Sequence, residues 1–474
     1  MISRQTTQDP ILQAFDRLAR RTPLAPLVAT PERRATVEDV EALARAAGRA
    51  LEGMPPGTAI GLAAPNGPGL LASLLALRRA GLAAVLLDAQ TPDAEALRTV
   101  EALGAAGVLR CRTGWPQGPG DWTLTMAPSA SLHAPGIAVI KLTSGSTGAP
   151  RGIATPAEAL VADDAALAFT MGFRDDDRLL ATIPLSHSYG LSSLALPALM
   201  RGTLLILPEE DRVFDPFDAA ARTGATIFPT VPAVLDALLR LNEPPAWPAS
   251  LRLVLTAGAP LSPATAVRFR ETFGLPVHVF YGASECGGIC YDREGTAGER
   301  GTVGTPVEGV RIDLEPVEDR DEEGGIVTVH SPAVAAGYLP PDETRLDGGR
   351  FVNGDLAVWQ NGELVLRGRA DDQINIKGKK VNPKEVEAVV GQLPGVLEVA
   401  VLGLPRPDRA DQILRAVIAC LPGSLAVEDV VAWCRPRLSP HKVPRSIVLV
   451  PELPRNTRGK LDRRELRTLR GLER

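Results

Sequence analysis

Between residues 59 and 87 the chain alternates in a way that only one kind of layer accommodates. The apolar run Ala59-Ile-Gly-Leu-Ala63 passes through Pro65-Asn-Gly67 into a helical stretch that reaches Leu77. Gly81 then stops it, and a second apolar run, Ala83-Ala-Val-Leu-Leu87, follows. Strand, helix and strand joined by short turns make a βαβ unit, and repeated units build a parallel sheet covered by helices. The pattern returns at 94–110. It returns again from 175 to 280, where apolar runs at 203–207, 225–228, 251–255 and 276–280 alternate with helical stretches at 214–223, 231–241 and 263–273. Polar or glycine-rich turns follow the carboxyl ends of these strands, and in open α/β sheets that edge holds ligands. The expected fold class is α/β, with doubly wound, mostly parallel sheets in a large N-terminal domain.

Two changes of texture divide what remains. From about 301 to 368 short strands with Gly, Pro and Asp turns predict a β-rich subdomain. After the charged stretch Leu366-Arg-Gly-Arg-Ala-Asp-Asp-Gln-Ile374, about a hundred residues carry an α+β pattern of their own. The expected domains are therefore 1–370 and 371–474. A chain of 474 residues with 45% apolar side chains can supply cores for both. Residues 11–22 and 36–52 read as helices, the second opening with a Thr/Glu capping pattern at Thr36.

Composition narrows the function classes. A net charge of −5 and a pI near 5.7 give no general attraction to nucleic acid or anionic membrane. Residues 455–474 hold eight Arg/Lys against three Asp/Glu, but no aromatic or groove-reading element accompanies them. Five scattered cysteines suit a reducing cytoplasm, and the lone close pair, Cys286 and Cys290, lacks a second pair to make a zinc site. Residues 1–10 lack the apolar core of a signal peptide. The most apolar stretch, 70–87, is interrupted by Arg78-Arg79, so no integral membrane segment is expected.

The densest chemical signal is Lys141-Leu-Thr-Ser-Gly-Ser-Thr-Gly-Ala-Pro-Arg-Gly152, which follows an apolar strand-like run beginning at Ile137. Its glycines let backbone N–H groups converge, its hydroxyls add donors, and Arg151 adds a charge, which together suit a polyphosphate. It is not a Walker loop, because no G-x4-G-K-[ST] occurs, and Ser144-Gly-Ser-Thr-Gly148 does not fit a nucleophile elbow. The run resembles the phosphate-binding signature of the adenylate-forming superfamily: acyl- and aryl-CoA ligases, peptide-synthetase adenylation domains and luciferases. Arg151 stands where that signature has lysine; arginine keeps the charge and can fork onto phosphate.

The resemblance extends over nearly the whole chain, and it implies an activity. ATP and a carboxylic acid would form an acyl-adenylate and pyrophosphate, and a thiol would then take the acyl group. Thr143, Ser144, Gly145, Ser146, Thr147, Gly148 and Arg151 are implied to cradle phosphate. Tyr281-Gly-Ala-Ser-Glu285 is similar to the second nucleotide signature, placing Tyr281 and Gly282 at the adenine, Ser284 on the α-phosphate and Glu285, with Thr147, on Mg²⁺. Ala257-Gly-Ala-Pro260 resembles the adenine-edge strand, with Gly258 and Ala259 beside the base. Asp355, after Asn353-Gly354, would bind the ribose, Arg369 would meet ribose or phosphate, and Asp371 falls on the hinge of a small mobile domain. Pro454-Arg-Asn-Thr-Arg-Gly-Lys-Leu-Asp-Arg463 matches the final signature, which makes Lys460 the cation that bridges carboxylate and α-phosphate.

Pro184-Leu-Ser-His-Ser-Tyr-Gly-Leu191 is similar to the acyl- and aryl-CoA ligase segment in which a histidine gates or lines the acyl tunnel. His187 takes that role here. The peptide-synthetase version carries an Asp to pair an α-ammonium group, and none occurs between Pro184 and Leu191. Tyr189, Phe228, Val231 and Gly282 are further acyl-pocket candidates. The implied cosubstrates are ATP, Mg²⁺ and coenzyme A, or a phosphopantetheinyl acyl-carrier protein in place of CoA. A non-catalytic nucleotide- or acyl-binding protein is the alternative of another class, suggested by Arg151 alone. Luciferase-type oxygen chemistry has no positive support.

Overall fold

A computed structural model describes residues 9–144, 150–208, 215–316, 324–341, 345–370, 374–376, 379–405, 412–455, 461–469 and 472–473. The chain forms two compact units. The first comprises Met1–Asp313, Thr328–Asn353 and Trp359–Val365; the second comprises Leu314–Val327, Gly354–Val358 and Leu366–Arg474.

The first unit contains the two large sheets that the βαβ spacing requires. In the seven-stranded sheet, Ala59–Ala63 pairs parallel with Ala83–Leu87 and with Gly107–Cys111, and Ala83–Leu87 pairs parallel with Ile137–Ser144. In the nine-stranded sheet, Leu204–Ile206, Arg178–Leu180, Ile227–Thr230, Leu253–Thr256 and Val277–Ala283 run parallel in that order. Antiparallel strands close the edges of both sheets.

Strand alternation decides which core each side chain joins. Ile60 and Leu62 enter the largest cluster, together with Leu179, Leu205 and Leu255 of the other sheet and with Leu71, Leu75 and Leu160 from helices Pro68–Arg79 and Ala157–Thr170. Ala59 and Ala63 face the opposite way, against Val100 of helix Asp93–Ala102. Leu180, Ile206, Phe228 and Val254 pack against Phe217, Leu235 and Phe269 on outer helices. The result is helix, sheet, helix, sheet, helix. Each large aliphatic side chain buried in this way contributes about 1.5–3 kcal/mol.

Local signals explain several element ends. Helix Val37–Gly48 opens on a capping box in which Asp39, not the neighbouring glutamate, is the reciprocal partner: Thr36 N–H donates to Asp39 Oδ2 at 2.8 Å, and Asp39 N–H donates to Thr36 Oγ1 at 3.2 Å. The reason is spacing, since Asp39 is the N3 residue. Pro150–Pro156 is a strand, antiparallel to Ile137–Ser144, and helix Ala157–Thr170 follows it. The described ends of the phosphate-type run, 141–144 and 150–152, thus lie on two antiparallel, paired strands.

The second unit holds a four-stranded sheet in the order Val396–Pro405, Gln412–Cys420, Ser446–Val450, Leu472–Glu473. Its core joins Val386 and Val390 of helix Pro383–Val390 to Leu414, Ala416, Ile418 and Ile447, with Val430 and Cys434 of helix Val427–Cys434. Among the described residues no helix is long and apolar enough to cross a membrane.

Candidate active site

Four chain segments of the first unit meet around residues 284–288, which link the antiparallel strands Val277–Ala283 and Gly287–Tyr291. Lys141 lies on strand Ile137–Ser144, and its Nζ donates to the Ser284 carbonyl at 2.9 Å. Ser188, from the 184–191 segment, donates its hydroxyl to Ser284 Oγ at 2.7 Å. Asp163, on helix Ala157–Thr170, accepts the Gly288 N–H at 2.9 Å. Tyr338, on strand Gly337–Leu339, donates its hydroxyl to Glu285 Oε1 at 3.0 Å, and Ala335 N–H donates to the Glu285 carbonyl at 2.7 Å.

Strand pairing brings Tyr338 there. Gly337–Leu339 runs antiparallel to Pro150–Pro156, with Tyr338 opposite Ile153. Arg151, opposite Thr143 on the hairpin, stacks its guanidinium 3.7 Å from the centre of the Tyr338 ring. A planar guanidinium suits such stacking, where a lysine would present a point charge. Arg151, Tyr338 and Glu285 therefore form a continuous chain of contacts.

Electrostatically the floor of the site is unusual. Lys141 and Asp163 are each 4% exposed. Burial pushes the Lys141 ammonium down and the Asp163 carboxyl up; attraction between the two charges opposes both shifts. Asp163 Oδ2 has no hydrogen-bond partner. Burial also raises the Cys286 thiol, so this cysteine is a packing group and not a nucleophile.

The 184–191 segment is fixed from below by Asn66, in the turn after strand Ala59–Ala63. Asn66 Nδ2 donates to the Ile183 carbonyl at 3.1 Å, and its Oδ1 accepts the Leu185 N–H at 2.9 Å. His187 is thereby held with Nε2 3.8 Å from Asp88 Oδ2, just past strand Ala83–Leu87. Tyr189 donates to the Leu255 carbonyl at 3.3 Å and packs on Phe280 with ring centres 5.7 Å apart.

The other expected residues fall as follows. Tyr281 accepts a hydrogen bond from Asn353 Nδ2. Gly282 follows it on the same strand, exposed. Gly258 and Ala259 are exposed just beyond strand Leu253–Thr256, and Gly258 has φ +82°. Val231 caps helix Pro232–Leu239 and is partly exposed. Phe228 is not a pocket residue: it is 1% exposed and packs edge-on to Phe217 in the outer core, because strand alternation turns it away. Asp355 and Arg369 belong to the second unit, where Arg369 Nη1 lies 3.2 Å from Asp355 Oδ1. Ser144 ends its strand opposite Pro150. Gly145, Ser146, Thr147, Gly148, Asp371 and Lys460 lie outside the described residues.

Sequence reasoning gave no role to Lys141, Asp163, Ser188, Tyr338 or Asp88. A signal existed for two of them: a lysine inside an apolar strand and an acidic pair, Asp163-Asp164, inside an apolar helix. Charges there need partners.

The whole-chain pattern has counterparts. Residues 15–339 match the family described as AMP-binding enzyme, and residues 385–460 match the AMP-binding enzyme C-terminal domain. The chain is an AMP-binding enzyme. It belongs to the adenylate-forming superfamily, on the acyl- and aryl-CoA ligase side. This AMP-binding enzyme is 30% identical over 452 residues to a feruloyl-CoA synthase of an Amycolatopsis species, covering 88% of this chain and 89% of that one. It is 32% identical over 336 residues to a 2-succinylbenzoate–CoA ligase of Bacillus cereus strain Q1, covering 69% of each. In fold it is similar to the o-succinylbenzoate CoA synthetase of Bacillus subtilis solved with an acyl-adenylate intermediate. That likeness has a TM-score of 0.80 at 24% identity and covers 98% of this chain and 99% of that one.

Proposed function

We propose that this AMP-binding enzyme is an AMP-forming acid–thiol ligase whose residues 284–288 present Ser284 and Glu285 to the nucleotide. The observation that carries this reading is the convergence of Lys141, Ser188, Asp163 and Tyr338 on those five residues. A turn braced from four sides is what a site that works by positioning needs.

The chemistry has two steps. A carboxylate oxygen of the acid attacks the α-phosphorus of ATP, the bond to the pyrophosphate oxygen breaks, and pyrophosphate leaves. The thiol sulfur of coenzyme A then attacks the acyl carbon, its proton is lost, and AMP departs with the electrons of the acyl–oxygen bond. In the first step two anions must approach each other, so donors and cations are the chief requirement. Ser284 supplies a hydroxyl for the α-phosphate and Arg151 a guanidinium for the outer phosphates. Ser144, Gly145, Ser146, Thr147 and Gly148 would supply further donors.

A single carboxylate held by a tyrosine hydroxyl fits Mg²⁺, which takes one or two carboxylates plus phosphate oxygens; Glu285 would hold it, with Thr147. When bound, Mg²⁺ neutralises charge on the phosphate oxygens. Tyr281, oriented by Asn353, would lie on the adenine, beside Gly258, Ala259 and Gly282. Asp355 would bind the ribose and Arg369 a ribose or phosphate oxygen. His187, Tyr189 and Val231 would line the acid's path, and Lys460 would bridge carboxylate and α-phosphate.

The proposed domains are 1–370 and 371–474, hinged at Asp371. A carrier-protein thiol in place of CoA is the nearest variant of this reading. Five free, buried cysteines support a cytoplasmic location. The test is carboxylate-dependent exchange of labelled pyrophosphate into ATP over short, long, aromatic and dicarboxylic acids. At least one class is expected to support exchange, and none doing so would refute the ligase. Supplying CoA and a phosphopantetheinyl carrier in turn to the productive acid then identifies the acceptor.

A further inference from the structure

Lys141 and Asp163 reach residues 284–288 from below and touch none of the atoms expected to meet the substrates. Lys141 holds the carbonyl that begins this segment, Ser284, and Asp163 holds the N–H that ends it, Gly288. The fit at Gly287 is so close that a Cβ there would lie 2.2 Å from Asp163 Oδ1. Ser188, from the 184–191 segment, bonds Ser284 itself. Two buried, oppositely charged side chains therefore tie strand Ile137–Ser144 and helix Ala157–Thr170 to residues 284–288, where Ser188 also arrives. Two buried charges cost desolvation that apolar side chains of similar volume would avoid, so packing alone does not call for them.

We propose that Lys141 and Asp163 are positioning residues for adenylation, a buried clamp that fixes where Ser284 and Glu285 meet the Mg²⁺-bound nucleotide. This rests on the ligase reading above for its kinetic consequence, though not for its geometric one. Without the clamp, residues 284–288 relax by a fraction of an ångström to an ångström, and a misplacement of that size costs roughly tenfold to a hundredfold in a positioned reaction.

The test uses the full chain with Lys141→Met, and the double variant Lys141→Met/Asp163→Asn, which leaves no unpaired buried charge if the single variant fails to fold. In acid-dependent pyrophosphate exchange the folded variant is expected to raise KM for MgATP by roughly tenfold or more, with a smaller change in KM for the acid. Amide hydrogen exchange at residues 284–288 is expected to quicken by at least about tenfold while the sheet strands stay protected. A folded variant with wild-type KM for MgATP and wild-type exchange at 284–288 would overturn the clamp. If the wild type itself shows no acid-dependent exchange, the ligase reading fails, and the amide protection still decides the clamp: quickened exchange supports it and unchanged exchange overturns it.

Discussion

Tyr338 touches both Glu285 and Arg151, and its hydroxyl and its ring do separate things. The hydroxyl donates to Glu285 while the ring carries Arg151. Tyr338→Phe removes only the first contact. Hydrogen bonds to charged groups contribute about 1.5–3 kcal/mol, so thermal stability should fall by no more than that, while loss of the hold on Glu285 should raise KM for MgATP roughly tenfold or more. Steady-state kinetics over a MgATP titration checks this; an unchanged KM would separate Tyr338 from the metal site. Lys460 belongs at the same scale. Lys460→Ala is expected to abolish pyrophosphate release and to leave thioester formation from supplied acyl-AMP nearly intact. Equal loss in both half-reactions would contradict its assignment to the first. At this scale the sequence names Tyr281 to Glu285 as candidates through a motif. It was silent on Tyr338 and Asp88, whose roles come from strand pairing and loop placement that no local pattern encodes.

Helix Ala157–Thr170 shows how an element can carry two unlike acids side by side. Asp163 faces residues 284–288, while Asp164 pairs with Arg201 at the end of helix Leu196–Arg201. Burial outweighs that arginine and raises Asp164 from its ordinary 3.8 to about 6. A carboxyl raised on folding binds its proton more tightly in the native state, so its contribution is complete below pH 3.8 and lost as pH rises towards 6. The loss is on the order of 3 kcal/mol at most. Asp164→Asn should flatten the stability profile between pH 4 and 6, measured by urea unfolding; an unchanged slope would place the titration elsewhere.

The 284–288 turn makes a second prediction at this scale. Gly287 has φ +69°, and any Cβ would strike Asp163, so Gly287→Ala should cost at least about 2 kcal/mol in the same unfolding measurement. Helices and parallel strands such as Ala59–Ala63 and Pro263–Phe273 were legible because periodicity and punctuation agree. Strand Pro150–Pro156 was not. Its proline, arginine and glycine disguise a strand that is held by the hairpin and by pairing with Gly337–Leu339, a partner nearly two hundred residues away.

Over the whole molecule, the chain divides into a two-sheet first unit and an α+β second unit, and the proposed function gives ATP and acid to the first and Lys460 to the second. A change of texture in the sequence falls near the start of Leu366–Arg474, the longest segment of the second unit. The assignment of 314–327 and 354–358 to that unit was not visible, because contacts distant in sequence decide it. If Asp371 is the hinge, Asp371→Pro should slow thioester formation from acyl-AMP while sparing pyrophosphate exchange, as single-turnover assays of each half-reaction would show. The central claim, that residues 284–288 present Ser284 and Glu285 to one nucleotide, is tested most directly by a crystal structure grown with MgATP. The α-phosphate is expected within hydrogen-bond reach of Ser284 Oγ, with Mg²⁺ on the Glu285 carboxylate. A nucleotide bound away from both side chains would contradict the account.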